Sequence, residues 1–290
     1  MLFCPNFRSD FIFFNEMKSI LTPAQMRACD RFAIHDLGIP AAILMENAVR
    51  SVFEVLRPRV ESCSEILILC GSGNNGGDGF ALARMLTHVP NTSVRVAWQG
   101  AEEKMSEETA MNFRAAQKHG IPLQHVVSAE DIAELSLHAD CLIDALVGVG
   151  GNEHPRGVVA LLLEKISQLA PRPLCVAIDI PTGLNAETGK AHENCFRADL
   201  TITMAALKTG LLLNDALGSR NNGICGEIVV VPIGIPEQHI AQTARIFSLQ
   251  ASDVRKLLPA RLSRSTTGCT GTSKLPTYSP RMFAIQKGYY

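Results

Sequence analysis

Three stretches of this chain set polar side chains directly behind aliphatic runs, where a buried strand would give way to a loop. The first is Gly71-Ser72-Gly73-Asn74-Asn75-Gly76-Gly77-Asp78-Gly79, which follows Ile66-Leu67-Ile68-Leu69-Cys70. Its glycines match the Gly-x-Gly-x-x-Gly spacing that lets backbone approach a diphosphate at a helix N-terminus. Two details argue against an ordinary dehydrogenase cradle. The spacing predicts a helix over 78–88, and Asp78 at its positive end would compete with a diphosphate. The next aliphatic run ends in Ala97-Trp98-Gln99, where a nicotinamide dehydrogenase usually carries an acid for the ribose hydroxyls. Adjacent asparagines on the turn point to a loop that reads a ligand. The alternative is that Asp78 caps its helix and the glycines only turn the chain.

The second stretch, Cys141-Leu142-Ile143-Asp144-Ala145-Leu146-Val147-Gly148-Val149-Gly150-Gly151, places a carboxylate at a strand end and then releases a glycine-rich loop. Amides of such a loop can approach a phosphate because no Cβ stands in the way. The third, Val176-Ala177-Ile178-Asp179-Ile180-Pro181-Thr182-Gly183, repeats the arrangement with a rigid Pro-x-Gly turn. A carboxylate held out of water at a fixed place suits acid or base work. Either aspartate taken alone could instead bond only to its own turn. Asn75, Asp144 and Thr182 offer an amide, a carboxylate and a hydroxyl, hard oxygen donors suited to an alkali or alkaline-earth cation.

The elements that would carry these loops follow from periodicity. Thr22-Pro23-Ala24-Gln25 has the form of a capping box with proline at the first helical position, opening a helix of about four turns. Gly38-Ile39-Pro40 breaks it, and a second helix is predicted over 41–56. From residue 65 short aliphatic runs alternate with helical segments, the pattern of βαβ units. Strands are predicted over 65–70, 93–98, 123–126, 139–144, 174–178, 200–204 and 227–231. Helices are predicted over 78–88, 106–119, 129–137 and 157–169. Strand runs without alternation imply cover on both faces. The expected fold is therefore α/β, a Rossmann-like doubly wound and mainly parallel sheet with helices on both faces. Ligands of such sheets bind at the carboxyl ends of the strands, so the three loops are expected to share one crevice.

Composition narrows the chemistry. The chain has 290 residues, 47% of them hydrophobic, and a formal net charge of −1, so it offers no general field for nucleic acid or an anionic membrane. Its nine cysteines contain no Cys-x-x-Cys pair and its eight histidines no zinc spacing, which reads as reduced core thiols in a cytoplasmic protein. Phe11-Ile12-Phe13-Phe14 is too short and too closely flanked by charge to be a signal-peptide core. Three regions are expected: an N-terminal extension at 1–20, one domain at 21–258, and a Ser/Thr/Gly-rich tail at 259–290 that is disordered or a remnant.

As a set, Leu44-Met45-Glu46-Asn47-Ala48, the Gly73–Gly79 loop, Asp144-Ala145-Leu146 and Asp179-Ile180-Pro181-Thr182-Gly183 resemble the NAD(P)H-hydrate epimerase family, in the family's order and from about Leu21 to about Pro236. The resemblance implies a homodimer that interconverts the S and R forms of hydrated NADH or NADPH, with one bound potassium ion. By position, potassium would lie at Asn75, Asp144 and Thr182. Substrate would contact Asn74, Asn75, Gly76, Gly77, Asp78, Gly148, Val149, Gly150, Gly151, Asn152, Glu153, His154 and Asp179. Asp179 would transfer the proton, with Asp144 as runner-up. The family commonly has Phe and then Gly-Thr-Gly where this chain has Val147-Gly148-Val149-Gly150, so a hydroxyl that could meet phosphate is absent. Lys208 matches a lysine-x-glycine step of the family, but a solvated lysine is the expectation. Leu257-Leu258-Pro259-Ala260-Arg261 resembles the junction to a fused dehydratase whose pattern the tail does not continue, so no dehydratase activity is expected. A nicotinamide-dependent oxidoreductase and a non-catalytic nucleotide-binding module are the alternatives.

Overall fold

Ile66, Ile68 and Cys70 pack with one set of apolar side chains and Leu67 and Leu69 with another, so the strand that carries them is covered on both faces. In a computed structural model, which describes residues 18–150, 154–216, 223–248 and 284–286, this strand lies at the centre of the fold. The order of elements is β1 (Lys18–Leu21), α1 (Pro23–Arg31), a π-helical turn (Phe32–Asp36), α2 (Ala41–Val60), β2 (Glu65–Cys70), α3 (Asn74–Leu86), β3 (Ser93–Trp98), α4 (Glu107–Lys118), β4 (Leu123–His125) and α5 (Ala129–Glu134). There follow β5 (Cys141–Ala145), α6 (Val158–Ser167), β6 (Leu174–Ile178), β7 (Leu200–Met204), β8 (Leu207–Lys208), β9 (Glu227–Val231), α7 (Glu237–Thr243), β10 (Ile246–Ser248) and β11 (Ala284–Gln286).

Seven strands form one sheet in the order β4-β3-β2-β5-β6-β7-β9, and every neighbouring pair is parallel. Helices α2, α3 and α4 supply Val49, Phe80 and Phe113 to one face; α5 and α6 supply Ile132 and Leu162 to the other. This is the doubly wound α/β architecture expected. The chain winds outward in both directions from β2 and β5, so the loops behind those two strands diverge and open a crevice between them. Outside this sheet β1 pairs parallel with β8, with Leu21 opposite Lys208.

Contacts divide the chain into a unit spanning Ile20–Ala244 and a second made of Met1–Ser19 with Arg245–Tyr290. In the second, β10 and β11 pair antiparallel. The rest of the tail, the dehydratase-junction resemblance and the N-terminal extension before Lys18 lie outside the described residues.

Boundaries differ from the pattern in instructive places. Thr22 and Gln25 form the reciprocal capping box that the sequence spells, at 2.9 and 3.2 Å. Helix α2 continues past Leu56 and through Pro58 to Val60, because Val60 is buried against the core. Helix α3 begins at Asn74 rather than 78: the asparagines and glycines form its first turn instead of a loop before it. Glycine is a poor helix former, and close packing compensates. A Cβ on Gly79 would stand 2.6 Å from Cys70 Sγ and 2.7 Å from Ala145 Cβ, and one on Gly76 would collide with the Gly71 carbonyl. Only glycines let this helix lie directly on the tips of β2 and β5.

Candidate active site

At the carboxyl ends of the strands a cleft of about 530 Å³ is lined by residues from four parts of the Ile20–Ala244 unit. These are Met26, Arg27 and Asp30 of α1; Ser72 to Asn75 at the start of α3 with Asp78 one turn in; Leu146 to Gly150 behind β5; and Asp179, Met204 and Lys208 behind β6 and β7, together with Gln99 and Ile233. The three loops singled out in the sequence therefore meet. A Cβ on Gly148 would sit 3.2 Å from both Asn75 Cγ and Asp179 Oδ2, which brings one residue from each loop together.

Asn75 lies in the first turn of α3, and neither its side-chain nitrogen nor its oxygen has a hydrogen-bond partner although both are buried. Buried polar atoms are almost always paired, so this amide is shaped to meet a bound group. Asn74 instead accepts a hydrogen bond of 2.8 Å from Ser106, the cap residue of α4. Asp78 is one turn inside the helix, not at its start. Burial first, then the charges of Asp179 and Asp30, push its carboxyl well above the usual range against the opposing pull of Lys208. Favouring its protonated form, Asp78 is a weaker competitor for a phosphate than the sequence implied. Gly73 caps α3 without a side-chain bond, leaving the first N–H groups of the helix open to an anion.

Asp144 is fully buried in β5. Its oxygens accept from the Thr182 hydroxyl at 2.7 Å, the Thr182 N–H at 2.7 Å and the Leu146 N–H at 3.1 Å. Burial pushes its carboxyl up to about 6 while the bonds from Thr182 and Leu146 hold it back. The Thr182 hydroxyl also accepts from the Val147 N–H at 3.2 Å, tying the loop behind β5 to the turn behind β6. Among the described residues no group of three or more His, Cys, Asp or Glu could hold a metal.

Asp179 has a φ of 68°, a left-handed conformation that aspartate tolerates better than most residues. Ala205 repeats this kink behind β7 with a φ of 62°, and the turn leads into β8. There Lys208 is 1% exposed, and its ammonium donates to Asp179 Oδ1 at 2.5 Å, Thr203 Oγ1 at 2.9 Å and the Met204 carbonyl at 2.7 Å. The expectation of a solvated lysine is overturned: all three of its donors are committed in the interior. The second Asp179 oxygen accepts from the Val149 N–H at 3.2 Å, so backbone makes a contact that the Val149 side chain does not influence.

Asp30, on α1, was not singled out by any motif. Burial pushes its carboxyl up to about 6, with Lys208 lowering it and Asp179 raising it. Other sequence candidates sit elsewhere. Gly76 faces Gly71, Gly77 faces Thr109 and Met45, and neither lines the cleft. His154 is exposed beside His192, and Gly151, Asn152 and Glu153 lie outside the described residues. At the tip of β3 Gln99, not an acid, lines the cleft. Seven cysteines, Cys29, Cys63, Cys70, Cys141, Cys175, Cys195 and Cys225, are free and buried.

Residues 41–210 match the family described as YjeF-related protein N-terminus. The chain is 35% identical over 222 residues to a protein of Rhodopirellula baltica named NAD(P)H-hydrate epimerase, covering 77% of this chain and 87% of that one. It is 36% identical over 210 residues to the protein of the same name from Limosilactobacillus fermentum, covering 72% and 94%. The crystal structure of yeast ynu0 superposes with a TM-score of 0.58 at 19% identity, over 66% of this chain and 82% of that one, and so shares the fold.

Proposed function

This chain belongs to the NAD(P)H-hydrate epimerase family, and we propose that it interconverts the S and R forms of hydrated NADH or NADPH in the cleft at its strand tips, as a step of nicotinamide nucleotide repair. One observation carries the reading for this chain. Asn75, Gly148 and Asp179 converge at the switch point of the sheet, and Asp179 is gripped there by a buried lysine.

The roles follow from the contacts. The open N-terminus of α3 suits the substrate's diphosphate, whose charge the helix dipole favours. Asp179 is the proton-transfer group: Lys208, Thr203 and Val149 fix its orientation, so the carboxylate meets the hydroxyl-bearing ring without first reorganising. The cleft is open, and water can enter and leave. The orphaned Asn75 amide and the oxygens of the Asp144–Thr182 pair are hard donors of the kind an alkali cation takes, and we assign potassium to Asn75, Asp144 and Thr182. Those three residues would hold the ion, which would supply positive charge there and tie together the loops that carry them.

The reading carries with it a cytoplasmic homodimer that binds neither nucleic acid nor membrane. In its support, no helix of the described residues is long and apolar enough to cross a membrane. Light scattering of the purified chain tests the dimer. The activity is tested by separating the two NADPHX epimers chromatographically as they equilibrate. The chain should accelerate equilibration over the spontaneous rate, and Asp179→Ala should abolish the acceleration. Equilibration no faster than in buffer would overturn the assignment.

A further inference from the structure

We infer that Asp30 is a second acid–base group of this reaction, acting from the α1 wall of the cleft while Asp179 acts from the sheet; the inference rests on the epimerase reading above. Inverting a hydroxyl-bearing carbon by departure and return of the hydroxyl requires bond breaking on one face and bond making on the other. A single fixed carboxylate serves only the face it touches. Two walls of the cleft carry a carboxyl that is not sealed away: Asp179 behind β6, held in place by Lys208, and Asp30 on α1. Asp144 is fully buried with its oxygens bonded to Thr182 and Leu146, and Asp78 shares the wall of Asn75.

Among the described residues Asp30 accepts no hydrogen bond and forms no ion pair, so its carboxyl is free for a ligand. It is half-buried, and its helix starts just beyond Leu21, the ladder partner of Lys208. The groups that act on it from other elements are Lys208 of β8 and Asp179 behind β6, with Asp78 of α3 coupled to it in turn. Its own helix offers Arg27 and Arg31, the π-helical turn His35 and Asp36, and α7 Glu237 and His239, the last stacked on Phe32 with ring centroids 3.6 Å apart. Burial raises its carboxyl to about 6, with Lys208 and Arg31 pulling it down and Asp179 pushing it up, so both protonation states are populated near neutrality.

In a hydrated nicotinamide the epimeric carbon bears a hydroxyl beside the ring nitrogen. Asp30 gives its proton to that hydroxyl; the C–O bond breaks with its electron pair and water leaves, while the nitrogen lone pair forms a C=N bond. Water then adds to the other face, the C=N pair returns to nitrogen, and the extra proton of the added water passes to Asp179. One proton and one water are taken up and released, and exchange with solvent in the open cleft resets the two carboxyls. The opposite epimer uses the same groups in reverse.

The test compares the full chain with Asp30→Asn and Asp30→Glu, using the NADPHX epimers as substrate. Asp30→Asn should lower kcat about 100-fold, within the range of general acid–base catalysis, with KM within roughly threefold of the parent. The limb of the kcat–pH profile near pH 6 should disappear, and Asp30→Glu should restore about tenfold of the loss. An Asp30→Asn protein with a kcat within roughly threefold of the parent, or a slow one that keeps the limb and gains nothing from Asp30→Glu, would overturn the role of Asp30 alone. A parent chain that gives no acceleration would remove the epimerase reading and this inference together.

Discussion

Asp144 and Asp179 end neighbouring parallel strands behind similar aliphatic runs, yet they became different things. Asp144 lies opposite Ala177 in the ladder, so Asp179 stands two residues further out, roughly 6–7 Å along the strand direction. That offset separates a carboxyl sealed in the sheet from one whose side chain is 13% exposed at the cleft. Asp144 is surrounded by a hydroxyl and two N–H groups and knits two loops together. Asp179 is gripped by an ammonium and faces the space where a substrate fits. Identical residue types at like positions acquire distinct roles through a displacement of two residues and the charge of one partner.

The contrast is tested most severely at Lys208. Lys208→Met keeps the bulk and removes the charge, and breaking a buried ion pair of this kind should cost about 3 kcal/mol of stability in urea unfolding. The activity should fall with it. Adding Asp179→Asn should recover most of the stability but none of the activity; strict additivity of the two stability losses would show that the pair is not coupled. Next comes the cation. Potassium, set against choline at equal ionic strength, should raise the thermal midpoint, with about 2.7 kcal/mol expected at a hundredfold excess over Kd. Asn75→Ala should remove that response, and a response undiminished in the variant would place the ion elsewhere.

Asp144 gives a smaller effect with a definite sign. Its folded carboxyl titrates at about 6 against an ordinary 3.8, so the folded state holds this proton more tightly than the unfolded chain. In potassium-free buffer its contribution is complete below about pH 4 and is lost as pH rises through about 6. Denaturation midpoints of Asp144→Asn should lack this part of the slope, and a slope equal to the parent's would assign it to other groups. The least change is expected of Val149→Thr, because the contact to Asp179 comes from the backbone N–H. Its kcat should stay within roughly threefold of the parent, and the added hydroxyl should show only as a lower KM.

Much of this was legible in the sequence because it rests on local chemistry. Unalternating aliphatic runs announced strands covered on both faces, and Thr22 with Gln25 announced a cap. What was not legible depends on distant packing. Gly76 read as part of the loop before the helix because glycine disfavours helices; only the close approach of Gly71 makes it part of the first helical turn. Lys208 read as a solvated side chain because nothing local shows that the kink at Ala205 turns its strand back under Asp179. Asp30 lies in an amphipathic helix of ordinary composition, where an acidic residue usually faces water. Its position at the cleft is a tertiary fact with no sequence signature.

The two-residue ladder between β1 and β8 has a dynamic consequence. Leu21 and Lys208 are paired neighbours, so the entry to α1 and the lysine gripping Asp179 are splinted together although the chain between them builds most of the sheet. A nucleotide touching both walls would tighten that splint, and hydrogen exchange should report it as slower deuterium uptake at 20–21 and 207–208 in concert. Part of the splint and all of the α1 wall precede the matched stretch 41–210, so a fragment trimmed to that stretch would keep the glycine turn and both strand-end aspartates yet lose one jaw.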